Sequence, residues 1–414
     1  MNIVQVPRRF VKSHWGGTET VILETCKRIL KMGHHTEIIC PNALADQDRE
    51  IIGGVRVTRV PYFYPYLRLR EGAKEQLDRK GGNLFSFALM KVLKKYPDLD
   101  LIHLHTAKRP GGIGRYAAGK RQIPYVISLH GGAFDVPSEE ADTWTAPSQG
   151  AFEWGKLLGW WVGSRRVFDD AAAIICVGQE EQRQTQRRFP HKKVIHLANG
   201  VDTERFARGD GHKFRSSYNI PLDAYVILTV GRIDPQKNQL FVINLLPELI
   251  KLNPRAHVLI IGPVTNENYN KKLLRTVREK GFESHVTIID GLDAGGQDLV
   301  DAYHGGDMFL LPSIHEPFGI VILEAWAAGL PVIASRIGGI PSFMEDNEDG
   351  LLFEPNEEAG FIRAFTTLIK TPDMAHKLAN AGKAKAWGEY SWDRITQSLL
   401  QIYEEAIREN PFRK

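Results

Sequence analysis

Short runs of apolar, β-branched residues alternate with stretches of helical periodicity along nearly the whole chain. In the first half the runs lie at 3–6, 37–40, 55–60, 101–105, 125–129, 173–177 and 194–197. In the second half they lie at 225–230, 257–261, 286–289, 308–311, 332–334 and 351–353. Strands this short, joined by helix-length segments, predict βαβ units, hence parallel sheets with helices on both faces. The pattern restarts once. A polar, charged segment between Asn199-Gly200-Val201-Asp202 and Pro221 reads as a link between two doubly wound, Rossmann-like α/β domains, at 1–205 and 215–390. At 391–410, Ile395, Leu399, Leu400 and Tyr403 fall at helical spacing and predict an amphipathic helix that packs back on the first domain.

Composition bounds this picture without redirecting it. With 414 residues, 43% of them hydrophobic, the chain can bury two cores. A net charge of +4 is too mild to argue for nucleic acid. Cys26, Cys40 and Cys176 sit far apart in apolar stretches and read as buried free thiols. The chain starts with a core-like strand, so no signal peptide is expected, and no apolar run reaches membrane-spanning length. A reducing cytoplasm fits these features. Two stretches mix aromatic and basic residues. One, at 61–82, holds Tyr62, Phe63, Tyr64 and Tyr66 ahead of Arg68, Arg70, Lys74, Arg79 and Lys80. The other, at 153–166, holds Trp154, Trp160, Trp161, Arg165 and Arg166. They suit a peripheral membrane contact or a bulky acceptor, or else an ordinary amphipathic surface packed partly on the core.

In open parallel sheets, ligands gather beyond the carboxyl ends of the strands, so candidate chemistry is sought there. Past the first strand lies Gly16-Gly17, where backbone can approach a ligand and a following helix can aim amides at a phosphate. The dinucleotide fingerprint GxGxxG is absent there, which counts against a nicotinamide enzyme. His130-Gly131-Gly132 follows another strand, and a neutral imidazole there could hydrogen-bond a sugar hydroxyl or serve structure alone. His103 and His105 share one face of a strand but have no third ligand at suitable spacing, so strand-end packing explains them better than a metal. Arg232 and Lys237 lie five apart in a strand-end loop, where a guanidinium and an ammonium can neutralise a departing diphosphate.

The most informative stretch is His315-Glu316-Pro317-Phe318-Gly319-Ile320-Val321-Ile322-Leu323-Glu324. It predicts Glu316 in the turn before a helix, Pro317 in the first helical turn, and Glu324 two turns further along. Amides at such a helix start suit a diphosphate, with carboxylates on either side to accept hydrogen bonds from hydroxyls.

Taken in order, the Gly-Gly loop, Leu-His-Gly at 129–131, Asn-Gly-Val-Asp at 199–202, Gly-Arg-x-x-x-x-Lys-Asn at 231–238 and the Glu-x7-Glu motif closely resemble the retaining glycosyltransferases of family 4. The resemblance implies the GT-B fold, two Rossmann-like domains facing a cleft, with acceptor bound by the first and nucleotide-sugar donor by the second. It implies that Arg232 and Lys237 hold and stabilise the leaving diphosphate, that Gly17 contacts it and that Gly16 shapes that loop. By the same resemblance Glu316 contacts the donor sugar, with Phe318, Gly319 and Ile320 beside sugar and phosphate, and Glu324 takes the ribose hydroxyls. His130 lies near the reacting face of the sugar, and Gly262, Pro263 and Leu292 lie near the base. No cofactor or bound metal is implied. The partners implied are a UDP-hexose, ahead of GDP-mannose, and a saccharide or lipid-linked acceptor. A nucleotide-sugar epimerase and a non-catalytic nucleotide-sugar-binding subunit are the competing readings.

Overall fold

The computed structural model describes residues 1–131, 146–148 and 150–412; Gly132 lies outside them. The chain divides into two compact units, Met1–Ala198 with Asp393–Lys414, and Asn199–Trp392.

The first unit contains β1 (Asn2–Val6), β2 (His35–Pro41), β3 (Arg49–Ile52), β4 (Val55–Val60), β5 (Tyr66–Leu67), β6 (Leu101–Leu104), β7 (Tyr125–Leu129), β8 (Phe152–Glu153), β9 (Ala173–Cys176) and β10 (Val194–His196). Eight of them form one sheet in the order β10-β9-β7-β6-β1-β2-β4-β3. The pairings are parallel except for β3 against β4. Central strands such as β6, β7 and β9 are buried along their whole length, as a sheet covered on both faces requires. One face packs the helices Phe87–Lys95 and Lys108–Arg121 through Leu89, Leu93, Ile113 and Ala117. On the other, the C-terminal helix Trp392–Arg408 lays Leu399, Leu400, Ile402 and Tyr403 against Ile3, Leu101 and Ile175. Cys26, Cys40 and Cys176 are free and buried, and burial raises each thiol to about 12.

The second unit contains β11 (Tyr225–Val230), β12 (Ala256–Ile261), β13 (Val286–Ile289), β14 (Met308–Leu311), β15 (Val332–Ser335) and β16 (Leu351–Phe353). They form a six-stranded sheet, β13-β12-β11-β14-β15-β16, with parallel pairing throughout. Its order reverses at β11, the kind of switch point beside which α/β sheets bind ligands.

The segment before Pro221, read as a link, forms the helices Thr203–Phe206 and Gly211–Ser217. Its polar residues cap these helices and pair inward. Asp202 accepts from the Arg205 amide at 3.1 Å, Asp210 accepts from the Lys213 amide at 2.9 Å, and Arg215 donates to Asp307 at 2.8 Å. Phe206 and Phe214 supply the buried face. One expectation is corrected, because Pro317 is not in a first helical turn. The helix runs Ile320–Ala328, and Gly319, with φ of 98°, is its N-cap.

The aromatic stretches divide between core and surface. Tyr62 and Tyr64 both donate to Asp78, at 2.6 and 2.9 Å, and Phe63 stacks with Phe87 and Trp154. Leu157 and Trp160 remain 75% and 84% exposed.

Candidate functional site

Between β11 and the helix Gln239–Leu252 the chain turns through a loop that its own side chains hold shut. Asp234, 6% exposed, accepts from the amides of Gln236 and Lys237 at 2.9 and 3.3 Å and from Thr265 at 3.1 Å. Gln239 donates to the Arg232 carbonyl at 2.8 Å. This loop carries both predicted cations. The Arg232 guanidinium is half-exposed and 3.5 Å from Asp234. The Lys237 ammonium turns inward and donates to Glu316 at 2.6 Å.

The neighbouring strand ends close against this loop. At Gly262 a Cβ would stand 1.9 Å from the Gly231 carbonyl oxygen, so glycine alone lets β11 and β12 end in contact. Pro263 accepts from the Ile233 amide at 2.9 Å, and Gly291 lies against Pro263. Leu292, next along the chain, is half-buried. Gly262, Pro263 and the 290–292 turn therefore form one surface beside Arg232.

Glu316 is 6% exposed despite its charge, and Lys237 is the partner that offsets its burial. Its backbone is clamped by a glycine pair that sequence reasoning passed over. A Cβ at Gly338 would come within 2.0 Å of the Glu316 carbonyl, and one at Gly339 within 2.2 Å of the Pro317 carbonyl. The Phe318 ring is core, 3% exposed and stacked on Phe343 at 4.8 Å. Phe318 can thus meet a ligand only through its backbone, while Ile320 is half-buried. First-turn amides have no intrahelical acceptor and carry partial positive charge.

Glu324 stands apart from that pair, half-buried, and accepts from the Tyr303 hydroxyl at 2.6 Å. Burial raises its carboxyl to about 7, against the opposing hydrogen bond from Tyr303 and the charge of Arg205. Tyr303 and Arg205 come from other elements and have no sequence signal at a fixed distance from Glu324. The two glutamates thus differ in environment: one is salt-bridged, the other held by a phenol.

In the first unit, Gly16 and Gly17 are exposed where the helix Gly17–Lys31 begins. Glu19 caps this helix, accepting from the Gly16 amide at 3.1 Å. Burial raises its carboxyl, opposed by the amides of Glu19 and Gly16. The sequence reading missed Glu19, although Glu three residues past an N-cap is a capping-box pattern. His130 Nε2 lies 2.9 Å from His105 Nδ1, and His105 Nε2 lies 2.8 Å from Gln5 Oε1. His103 and His105 are therefore members of a hydrogen-bond chain as well as packed side chains. Among the described residues, no group of three His, Cys, Asp or Glu is placed to hold a metal ion.

Two parallel α/β units whose strand ends carry these groups define a GT-B protein. Solved structures agree in fold. HepE of Anabaena, crystallised with UDP, superposes with a TM-score of 0.71 at 18% identity, covering 97% of this chain and 99% of that one. Sucrose-phosphate synthase of Thermosynechococcus elongatus gives 0.72 at 19% identity, covering 99% and 100%. Residues 15–205 match the model "Glycosyltransferase Family 4" and residues 210–385 match "Glycosyl transferases group 1". The D-inositol 3-phosphate glycosyltransferase of Saccharomonospora viridis is 28% identical over 403 residues, covering 95% of this chain and 90% of that protein. Its namesake from Streptomyces bingchenggensis is 27% identical, covering 95% and 85%. The chain belongs to the family-4 glycosyltransferases and is a glycosyltransferase.

Proposed function

We propose that the protein is a retaining hexosyltransferase that moves a hexose from a nucleoside diphosphate sugar to a hydroxyl of a saccharide or glycolipid, in polysaccharide or glycoconjugate biosynthesis. UDP-glucose and UDP-N-acetylglucosamine are favoured over GDP-mannose as donors. The observation that carries this reading is the Lys237–Glu316 pair, 2.6 Å apart beside Arg232, which sets a phosphate-binding cation against a hydroxyl-binding carboxylate. Charge grows on the leaving diphosphate in the transition state, and Arg232, Lys237 and the amides of 318–320 are donors that can stabilise it there. Glu316 accepts from a hydroxyl of the donor sugar and Glu324 from the ribose. Gly262, Pro263 and Leu292 line the base, and Gly16, Gly17 and His130 are the first unit's contribution to donor binding. In this account neither a cofactor nor a divalent metal takes part.

Two finer points rest on specific observations. Arg8, Arg9 and Lys108 follow the carboxyl ends of β1 and β6, where burial first and then the charge of Arg8 lowers Arg9 and Lys108, while Arg8 itself donates to the carbonyls of Leu77, Asp78 and Gly82. Together with the relatives named for D-inositol 3-phosphate, this favours an acceptor bearing a phosphate as a second reading. The exposed Leu157 and Trp160 beside Arg165 and Arg166 support contact with the inner face of an anionic membrane. No helix among the described residues is long and apolar enough to cross one.

The test is nucleotide release from UDP- and GDP-sugars with and without EDTA, followed by NMR of the product's anomeric centre. Release that survives EDTA, with the donor's configuration kept, is expected. Absence of release from every donor would sink the enzymatic assignment, an inverted product would sink retention, and epimerised donor without transfer would favour the epimerase.

A further inference from the structure

Among the described residues, a connected set of buried polar groups runs inward from His130 in the first unit. Gln5 is wholly enclosed although it lies in the middle of β1, and His103 on β6 is 2% exposed. From His130 the contacts run to His105 at 2.9 Å and on to Gln5 Oε1 at 2.8 Å. Gln5 Nε2 then donates to the Tyr403 hydroxyl at 3.3 Å. Tyr403 lies 2.6 Å from His103 Nδ1, and His103 Nε2 lies 2.7 Å from the Ser128 hydroxyl. Among the described residues, the Nδ1 of His130 is buried with no hydrogen-bond partner.

With the Gln5 amide oxygen toward His105 and its nitrogen toward Tyr403, as the structure has them, the direction of every bond follows. The amide oxygen of Gln5 can only accept, so His105 Nε2 carries a proton and donates to it. In a neutral ring the other nitrogen is then a lone pair, so His105 Nδ1 accepts, and His130 Nε2–H is the donor. The same rule leaves His130 Nδ1 as a bare lone pair. Beyond Gln5, its Nε2–H donates to Tyr403, Tyr403 donates to His103 Nδ1, and His103 Nε2–H donates to Ser128. We infer that Gln5 and His105 are positioning residues that lock His130 in its Nε2–H tautomer, so that Nδ1 is an acceptor for a hydroxyl of the bound ligand. Burial, which holds His130 at about 4 and His103 at about 3, keeps the rings neutral and the acceptor bare. His105 is lowered as well, by burial first and then by the neighbouring histidines.

An acceptor of this kind selects its ligand. It takes a hydroxyl and rejects an ether or a fluorine at the same position, because neither carries a proton to donate. A histidine in the opposite tautomer would present N–H and tolerate the fluorine. The C-terminal helix enters this selection through Tyr403, whose hydroxyl accepts from the Gln5 amide nitrogen while the amide oxygen faces His105.

The inference rests on His130 facing the sugar, and the experiment separates the two. Full-length protein labelled with 15N-histidine reports by NMR which ring nitrogen of His105 and His130 is protonated, without any turnover. Protonated Nε2 and bare Nδ1 on both rings is the expected result, and an Nδ1-protonated His130 overturns the inference whatever the activity. In Gln5→Leu the His130 signal should move or split between tautomers, and kcat/KM should fall about tenfold or more, the scale on which outer partners of functional histidines act. At a pH high enough to keep His105 neutral beside the new carboxylate, Gln5→Glu keeps an acceptor facing His105 and should restore the wild-type His130 shifts and most of kcat/KM. Equal loss in Gln5→Glu and Gln5→Leu with His130 shifts unchanged would mean that Gln5 serves only to pack. Wild-type activity in His130→Ala, with the tautomers as stated, would remove the sugar contact and leave the lock.

Discussion

Removing the ammonium of Lys237 strands the Glu316 carboxylate in a site where it is 6% exposed. Lys237→Ala should therefore cost up to about 3 kcal/mol of stability and roughly 10²–10³-fold in turnover. Denaturant melts and nucleotide release measure the two, and normal turnover in the variant would refute the role given to Lys237. Glu324 gives a test of different sign. Its carboxyl is raised from an ordinary 4.5 to about 7 in the folded chain, mainly through burial. The folded chain thus keeps a proton that the unfolded chain has lost, so stability falls as pH rises from about 4.5 through 7. Glu324→Gln removes that term, and its melting temperature should fall less across this window than that of the wild type. The same variant should weaken UDP binding about tenfold, the scale of one hydrogen bond to a charged group, with kcat little changed. A large loss of kcat at unchanged affinity would contradict the ribose assignment. Arg232, Lys237, Glu316 and Glu324 were legible because strand-end position and spacing single them out. Their partners were not, since Tyr303, Arg205 and Gly338 reach the site through folding alone. Gln5 was within reach, as a polar residue inside a buried strand must find a partner.

At the level of elements, periodicity located the buried strands closely; β4, β7, β11, β13 and β14 end where the apolar runs end. It missed β3, a short antiparallel edge whose residues Arg49 and Glu50 carry no apolar alternation. It also left the helices Thr203–Phe206 and Gly211–Ser217 unread within the segment taken as a link, because Asp and charged residues look alike in a turn and at a helix start. The contact between β11 and β12 ends offers the sharpest test of how elements build the site. Gly262→Ala must push the Gly231 carbonyl away from 1.9 Å, which should cost about 1–3 kcal/mol and several degrees in the second unit's melting. Calorimetry should show the loss in that unit's transition, together with weaker UDP binding. An unchanged melt and unchanged affinity would mean that the two loops need not touch.

Over the whole molecule, the division of labour follows from which unit carries which groups. Arg232, Lys237 and both motif glutamates lie in the second unit, and the aromatic surface lies in the first. Leu157→Ser with Trp160→Ser should then reduce sedimentation with anionic vesicles at least severalfold while leaving release of nucleotide from a soluble donor unchanged. Equal sedimentation of variant and wild type would dismiss the membrane contact. The parallel architecture was readable from the sequence because alternation of strand and helix is a property of the entire chain. Acceptor identity was not, because it depends on side chains that no periodicity or spacing brings together.

The central claim is that the second unit binds a nucleoside diphosphate through Arg232 and Lys237. Thermal melts with UDP, GDP and their hexose conjugates test it most directly, since a ligand held by the native state alone raises the melting temperature by mass action. A rise with uridine nucleotides that disappears in both Arg232→Ala and Lys237→Ala is predicted. No rise with any nucleotide, or the same rise in the two variants as in the wild type, would contradict the account.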